Sequence, residues 1–162
     1  MNAATIRCFV GLGSNLDTPA AQIERALAAL ASIPETRPGD ISPRYRNPAL
    51  GPGQQPDYVN VVAELHTSLD ALALLAQLQR IELAQGRVRG ERWAARTLDL
   101  DLLLYGEAVI DLPHLQIPHP RMHERNFVLY PLFDIAPDLA LPRGASLRAL
   151  LDCCPDSGLV RL

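Results

Sequence analysis

Two carboxylates near the middle of the chain lie directly after a strongly basic segment. Asp99 and Asp101 are two residues apart in an apolar stretch, so on a strand they would point to the same side, about 6 to 7 Å apart along the chain. Four arginines precede them: Arg87, Arg89, Arg92 and Arg96. Mg²⁺ favours one or two carboxylates with water and substrate phosphate, and guanidinium groups bind phosphate oxygens in bidentate fashion. The pattern predicts a site for a polyphosphate substrate and a divalent cation, although the aspartates alone also fit a solvent-facing edge strand.

The composition limits which kinds of protein this can be. The chain has 162 residues, 48% of them hydrophobic, which predicts one domain over residues 1–162. A net charge of −3 argues against a nucleic-acid-coating protein, and no apolar run is long enough to cross a membrane. All 15 basic residues are arginine, which excludes a Walker A or Schiff-base lysine. We expect a cytoplasmic monomer that acts on small molecules, without nucleic-acid or membrane partners.

The cysteines indicate neither a disulfide framework nor a metal motif. Their number is odd and two are adjacent: Cys8, Cys153 and Cys154. Cys8 falls in an apolar run and is expected to be a small core residue.

The hydrophobic periodicity predicts an α+β fold. Strands are expected at residues 6–12, 40–45, 58–65 and 98–105, and helices at 19–30 and 69–84. Thr18 and Ser68 are the expected helix caps. In residues 98–105, alternation places Leu98, Leu100, Leu102 and Leu104 on one face. The order βαββαβ is that of a ferredoxin-like core, an antiparallel sheet with helices packed on one face.

Beyond this core we expect a C-terminal hairpin and helical extension. Gly106 predicts a turn that leads into a hairpin strand at Val109 and Ile110. Residues 118–125 are expected to form a turn that enters a short helix, and residues 146–151 are expected to form a last helix. Residues 46–57 contain too many prolines and glycines for a helix or strand, which favours a binding loop or lid.

Several smaller motifs allow two interpretations. GLGSN at residues 11–15 resembles a glycine-rich nucleotide loop but lacks its third glycine, so a tight turn is favoured. His119 and His123 have the spacing of a zinc pair, yet Pro120 lies between them, which favours phosphate support instead. Tyr58 and Asn60 share a strand face, where Asn60 could read a heterocyclic amide or simply stabilise the sheet.

Four segments together resemble the 6-hydroxymethyl-7,8-dihydropterin pyrophosphokinase family. They are GLGSNL near the N-terminus, NPALGPGQQPDYVN at 47–60, RVRGERWAARTLDLDLL at 87–103 and IPHPRMHERNFVLYPLFDIAP at 117–137. The resemblance extends from about residue 9 to 142 and is specific in combination.

This resemblance implies a role in folate biosynthesis, in which pyrophosphate passes from ATP to the pterin hydroxymethyl group and AMP leaves. It implies two Mg²⁺ held by Asp99 and Asp101, with Arg87 and Arg96 also catalytic. The residues implied to bind ATP are Leu75, Gln79, Glu82, Arg89, Trp93, Arg96, Leu102, His119 and Arg125. Those implied to bind the pterin are Asn47, Pro48, Leu50, Tyr58, Asn60, Trp93 and Phe127.

Two non-enzyme functions also fit the order βαββαβ. An RNA-recognition domain would need paired aromatic residues in its sheet motifs, and the strands at 6–12 and 58–65 lack that pattern. A regulatory ligand-binding domain would explain the fold but not the arginines beside Asp99 and Asp101.

Overall fold

The computed structural model describes residues 4–15, 18–48, 56–85 and 98–162. The strands are β1 (Ile6–Ser14), β2 (Thr36–Ile41), β3 (Tyr45–Asn47), β4 (Tyr58–Thr67), β5 (Asp99–Tyr105), β6 (Ile110–Leu112), β7 (Leu115–Ile117) and β8 (Val160–Arg161). The helices are α1 (Pro19–Ala31), α2 (Ala71–Ala84), α3 (Asn126–Ile135) and α4 (Leu147–Asp152). Short 3₁₀ turns occupy Met122–Glu124 and Pro142–Gly144.

The main sheet is antiparallel and has the strand order β5-β1-β4-β3-β8, with β2 also paired to β4. Strand β1 therefore lies between the edge strand β5 and β4. This arrangement confirms the predicted α+β, ferredoxin-like core. The predicted strand at 40–45 proved to be two short strands, β2 and β3.

Helices cover both faces of the sheet. On the back face, α1 and α2 pack against alternate residues of β1, including Cys8, Val10 and Leu12. On the front face, α3 and α4 form a second cluster with Phe9 of β1 and Val62 of β4. The prediction of helices on one face holds for α1 and α2, and the C-terminal helices supply the second layer.

A β-bulge changes the predicted alternation along β5. Phe9 pairs with Leu104 and Val10 pairs with Leu102, so Leu103 is one extra residue opposite β1. As a result, Leu104 packs in the front cluster with Phe9, while Tyr105 packs against the back cluster. The prediction that Leu104 shares a face with Leu102 was therefore wrong, because period-two patterns do not reveal a bulge.

The helix ends differ from the predicted caps. Asp70 caps α2, since its Oδ1 accepts a hydrogen bond from Ala73 N at 2.8 Å, whereas Ser68 Oγ donates to Glu35 O at 3.3 Å. The Thr18 side chain makes no capping hydrogen bond to α1. Thr18 is the N-cap residue of α1, as predicted, but it caps through its backbone O, which accepts from Gln22 N at 3.1 Å. The predicted cap at Ser68 was wrong, whereas Ser146 does cap α4, accepting from Ala149 N at 3.1 Å.

The C-terminal hairpin is present but pairs differently from the prediction. Gly106 forms the expected turn, with φ of 53°, but the following strand β6 pairs with β7 in a separate sheet. Within the described ranges, the helices are all too short or too polar for one to serve as a membrane span.

Glu64 on β4 is a buried acid with several partners. It is 7% exposed, and its carboxylate accepts hydrogen bonds from Arg7 Nε and from Asp40 N, with His66 Nε2 at 3.2 Å. Burial by itself raises the pKa of Glu64, but the hydrogen bonds from these partners and the Arg7 charge outweigh it. The pKa of Glu64 is therefore lowered from its ordinary value.

A group with a lowered folded pKa stabilises the fold above its unfolded pKa and loses that contribution as the pH falls through the folded pKa. We expect Glu64→Gln to reduce the free energy of unfolding at about pH 7, with a difference from wild type that shrinks towards about pH 3. Urea unfolding of both proteins at several pH values between about pH 3 and pH 7 measures this difference.

Glu24→Gln is the matched control, since the Glu24 side chain is 67% exposed in its pair with Arg44 and should contribute little. A deficit of Glu64→Gln that stayed equally large at every pH would contradict the assignment.

Candidate active site

Polar side chains from β4 and β5 lie on the front face of the sheet. Between them, the positions of β1 that face the front are the glycines Gly11 and Gly13. Because Leu100 and Leu102 belong to the back cluster, Asp99 and Asp101 point to the front, as the alternation predicts. On β4, Val61 packs in the back cluster, so Asn60 also belongs to the front face. The front face thus presents two carboxylates on one side of β1 and an amide on the other.

The backbone of Gly11 and Gly13 lies between these groups, and we call this surface the glycine floor. Gly13 pairs with Asp99 on β5 and with Asn60 on β4, and Gly11 occupies the corresponding position beside Asp101. Neighbouring strands are about 4.8 Å apart, so Asp99 and Asn60 lie on strands about 10 Å apart. No side chain from β1 enters the gap, and the side chains that approach these glycines belong to the flanking strands: Asn60 and Tyr58 at Gly13, and Leu103 at Gly11.

The structure corrects the interpretation of GLGSN as a tight turn. Residues 11–14 belong to β1 and pair with β4, and residues 11–13 also pair with β5. Asn15 then donates from Nδ2 to Pro56 O at 3.2 Å. Glycines two apart in an apolar run put both gaps on the same strand face, and this spacing was the signal in the sequence. The close approach of Asn60, rather than turn geometry, explains Gly13, whereas a Cβ on Gly11 would make only an ordinary contact with Leu103.

The side chain of Asn60 is held in one orientation. Its Nδ2 donates to Asn47 Oδ1, and both asparagines are buried. Asn47 in turn donates from Nδ2 to Pro48 O at 3.2 Å. Asn60 Oδ1 consequently lies over Gly13, where an added Cβ would be only 2.8 Å away. This leaves a fixed carbonyl acceptor directed at the floor.

Cationic groups from the segment before α3 lie beside Asp101. Arg125 Nη1 is 3.6 Å from Asp101 Oδ2, and its guanidinium is stacked 5.7 Å from the ring centroid of Phe127. The Asp101 side chain remains 43% exposed, so this ion pair leaves the carboxylate accessible. The sequence predicted both Arg125 and Phe127 for this site, and the structure brings them together.

The surroundings of His119 favour its neutral form. Burial lowers the pKa of His119, the Asp101 charge raises it, and the nearby charges of Arg125 and Arg121 lower it, so that the pKa is below its ordinary value. Its Nδ1 accepts from Arg121 N at 3.2 Å, which leaves the proton on Nε2. The lowered pKa favours the neutral form of His119, whose Nε2–H is then a hydrogen-bond donor near Asp101.

Glu82 supports the strand that carries the aspartates. It is 6% exposed on α2, and its Oε2 accepts from Leu100 N at 2.9 Å, midway between Asp99 and Asp101. Leu102 is buried in the back cluster and Leu75 packs against it, whereas Gln79 is exposed on α2. The positioning role of Glu82 was not predicted, because a bond from a helix to a strand backbone has no sequence pattern.

The donor set fits a hard divalent cation bound partly by its substrates. Within the described ranges, no cluster of three or more His, Cys, Asp or Glu side chains is arranged to hold a metal. Asp99 and Asp101 offer oxygen ligands alone, and Mg²⁺ is bound by one or two carboxylates plus water and phosphate. The same finding gives no support to a zinc site at His119 and His123.

Some predicted site residues lie outside the described residues: Leu50, Arg87, Arg89, Trp93 and Arg96. Their roles stay predictions. The described part of the site consists of the acid pair, the glycine floor, the asparagine pair and the Arg125 cluster.

Comparison with known proteins gives relatives over nearly the whole chain. Residues 9–137 match the sequence model of the 7,8-dihydro-6-hydroxymethylpterin-pyrophosphokinase (HPPK) family. The chain is 56% identical over 156 residues to 2-amino-4-hydroxy-6-hydroxymethyldihydropteridine pyrophosphokinase of Pseudomonas aeruginosa, covering 96% of each chain. It is 48% identical to the Haemophilus influenzae protein of the same name, covering 97% of this chain and 98% of the relative.

The fold is also similar to solved structures. A variant of Plasmodium falciparum HPPK-DHPS crystallised with pterin and p-hydroxybenzoate matches with a TM-score of 0.73 at 14% identity. The match covers 94% of this chain and 44% of the solved chain, so this chain spans less than half of that protein's length. At this identity the likeness concerns the fold alone.

Proposed function

This chain belongs to the 7,8-dihydro-6-hydroxymethylpterin-pyrophosphokinase family, and on that basis we propose that it transfers pyrophosphate from ATP to 6-hydroxymethyl-7,8-dihydropterin. The pterin hydroxymethyl oxygen attacks the β-phosphorus of ATP and loses its proton. The bond from the β-phosphorus to the oxygen of the α-phosphate breaks, and AMP leaves with that oxygen. The pterin diphosphate is the other product, formed in folate biosynthesis.

The observation that carries the proposal is the arrangement across β1. Asp99 and Asn60 flank Gly13 on opposite sides, and no β1 side chain separates them. A flat pterin ring that is hydrogen-bonded to Asn60 extends over the glycine floor towards Asp99 and Asp101. This position brings the hydroxymethyl group of the ring to the phosphates. Phosphoryl transfer depends mainly on such positioning and on charge neutralisation, so this geometry suits the reaction.

We propose that Asp99 and Asp101 hold two Mg²⁺ together with phosphate oxygens. Mg²⁺ held by these carboxylates would neutralise triphosphate charge and polarise the attacking hydroxyl, which would reduce the need for a general base. Glu82 keeps the strand between the aspartates in place through Leu100 N. Arg125 balances the Asp101 charge and keeps the carboxylate at the edge of the floor.

On the ATP side, Arg125 and the neutral His119 supply a charge and an N–H donor for phosphate oxygens. The proposal adds Arg87, Arg89 and Arg96 as further phosphate ligands. The proposed contacts to the rest of the nucleotide are Leu75, Gln79, Glu82, Trp93 and Leu102. Of these, Glu82 and Leu102 are buried, so we expect them to shape the site from behind β5.

On the pterin side, Asn60 Oδ1 accepts from an N–H group of the ring, since its own Nδ2 is bound to Asn47. Phe127 and Tyr58 supply aromatic surface, and stacking favours a flat heterocycle. Asn47 and Pro48 form the edge of the pocket next to Asn60. Leu50 and Trp93 complete the proposed pocket.

We further propose that the chain acts as one monomeric catalytic domain in the cytoplasm. The three cysteines are free thiols, which is typical of a reducing compartment. Its substrates are small molecules, and the net charge of −3 gives no overall attraction to nucleic acid.

The nucleotide product tests the reaction. With Mg²⁺, ATP and 6-hydroxymethyl-7,8-dihydropterin, we expect AMP and the pterin diphosphate in equal amounts, separated by ion-exchange chromatography. ADP would indicate transfer of a single phosphoryl group. Nucleotide turnover that does not depend on the pterin would refute the assignment.

Replacing Asp101 by Asn tests the metal ligands. We expect Asp101→Asn to lower kcat by about 100-fold or more, because neutral Asn neither neutralises metal charge nor matches carboxylate as a ligand. Steady-state kinetics across a Mg²⁺ titration measures it. Asp111→Asn is the matched control, since Asp111 is exposed on β6 in the separate hairpin. Equal activity of the two variants would count against the metal site.

Adding a methyl group to the floor tests its role. In Gly13→Ala the Cβ meets Asn60 Oδ1 at 2.8 Å, so Asn60 must move and the pterin KM should rise about 10-fold or more. In Gly11→Ala the Cβ would lie 3.6 Å from Leu103 Cδ1, an ordinary contact, and a smaller effect is expected. Equal pterin KM values in the two variants would contradict the role of Gly13.

A further inference from the structure

The C-terminal segment at residues 155–161 joins two parts of the proposed pterin pocket. At its far end, β8 pairs with β3, with Val160 opposite Arg46 and Arg161 opposite Tyr45. Leu162 N continues the pairing by donating to Arg44 O at 2.8 Å. Strand β3 ends at Asn47, which holds Asn60, so the segment borders the strand that orients the amide.

The other end of the segment is bound to the start of α3. Asn126 Nδ2 donates to Pro155 O and to Ser157 O, each at 3.1 Å. Asn126 is followed directly by Phe127, the aromatic residue stacked with Arg125. Tyr130 OH adds a hydrogen bond to Cys154 O at 2.9 Å, one turn further along α3. The segment is thus tied to the helix that carries Phe127.

Between these ends, the segment contacts Pro48. Gly158 has φ of 76°, and a Cβ on it would lie 3.2 Å from Pro48 Cδ. Only glycine allows both this backbone conformation and this close approach without strain. Pro48 follows Asn47 at the edge of the pocket, so one short segment contacts both Pro48 and the Phe127 end of α3.

These contacts contribute little to the hydrophobic core. Val160 is 45% exposed and Leu162 is 58% exposed, so the end of the segment buries little apolar surface. Tyr45 OH donates to Asp134, which ties β3 to the other end of α3. The segment therefore adds a second link between β3 and α3, at the Phe127 end of the helix. Its main effect is on the position of β3 relative to α3.

We propose that residues 155–161 are a positioning element of the pterin pocket, setting the distance between the Asn47–Pro48 edge and Phe127. This inference rests on the proposed function, because it takes these residues as opposite sides of the pterin site. The segment is bound to β3, to Asn126 and to Pro48, all on the pterin side of the proposed site, so the effect should fall on pterin binding and spare ATP.

Asn126→Ala tests the link, because it removes both hydrogen bonds to the segment. We expect the Kd for 6-hydroxymethylpterin, measured by calorimetry with a non-hydrolysable ATP analogue bound, to rise about 5-fold. The Kd for the ATP analogue alone should stay within about 2-fold of wild type. Gly158→Ala disturbs the contact with Pro48 instead and should also raise the Kd for the pterin. This second variant tests the link even if Asn126→Ala folds poorly.

Ser146→Ala is the matched control, since it removes the cap of α4 in the same part of the chain without touching the link. It should lower Tm and leave the Kd for the pterin unchanged. Unchanged pterin affinity in folded Asn126→Ala and Gly158→Ala, or an equal loss in Ser146→Ala, would overturn the positioning role. Failure of the wild-type protein to bind the pterin at all would instead refute the proposed function on which it rests.

Discussion

The pairing of β1 with β4 on one side and β5 on the other is the constraint on which the site depends. The middle strand fixes the register of Asn60 against Asp99 through Gly13. A side chain larger than hydrogen at Gly13 would displace the Asn60 amide, so the strand contributes backbone alone at this point. One flat substrate can then contact the acceptor on β4 while its reactive group reaches the carboxylates on β5.

Buried polar groups hold the two sides of this floor in place. Behind β5, the Glu82 carboxylate binds the backbone between the aspartates, and beside β4, Asn47 binds Asn60. Each of these groups lies in a low-dielectric setting where an unmade hydrogen bond is costly, so each favours a single arrangement. The apolar clusters on both faces keep the sheet rigid, and the polar pairs set the direction of its functional side chains.

The sequence was sufficient for the features that depend on periodic burial or on side-chain chemistry. Apolar alternation predicted β1, β4 and β5, and the spacing of Asp99 and Asp101 predicted their common face. Features set by backbone geometry were missed: the bulge at Leu103, the glycine floor interpreted as a turn, and the strand β8. A strand as short as Val160–Arg161 has no periodicity to detect, and its place depends on the exposed edge of β3.

The distance across the glycine floor is the central claim, and paramagnetic relaxation measures it directly. Mn²⁺ would replace Mg²⁺ in the complex with a non-hydrolysable ATP analogue, and side-chain amide resonances would be recorded by NMR. The account predicts strong broadening of the Asn60 amide, on a strand about 10 Å from that of Asp99, and weak broadening of Gln77, in the groove between α1 and α2 behind the sheet. Equal broadening of Asn60 and Gln77, or none at Asn60 while the metal is bound, would contradict it.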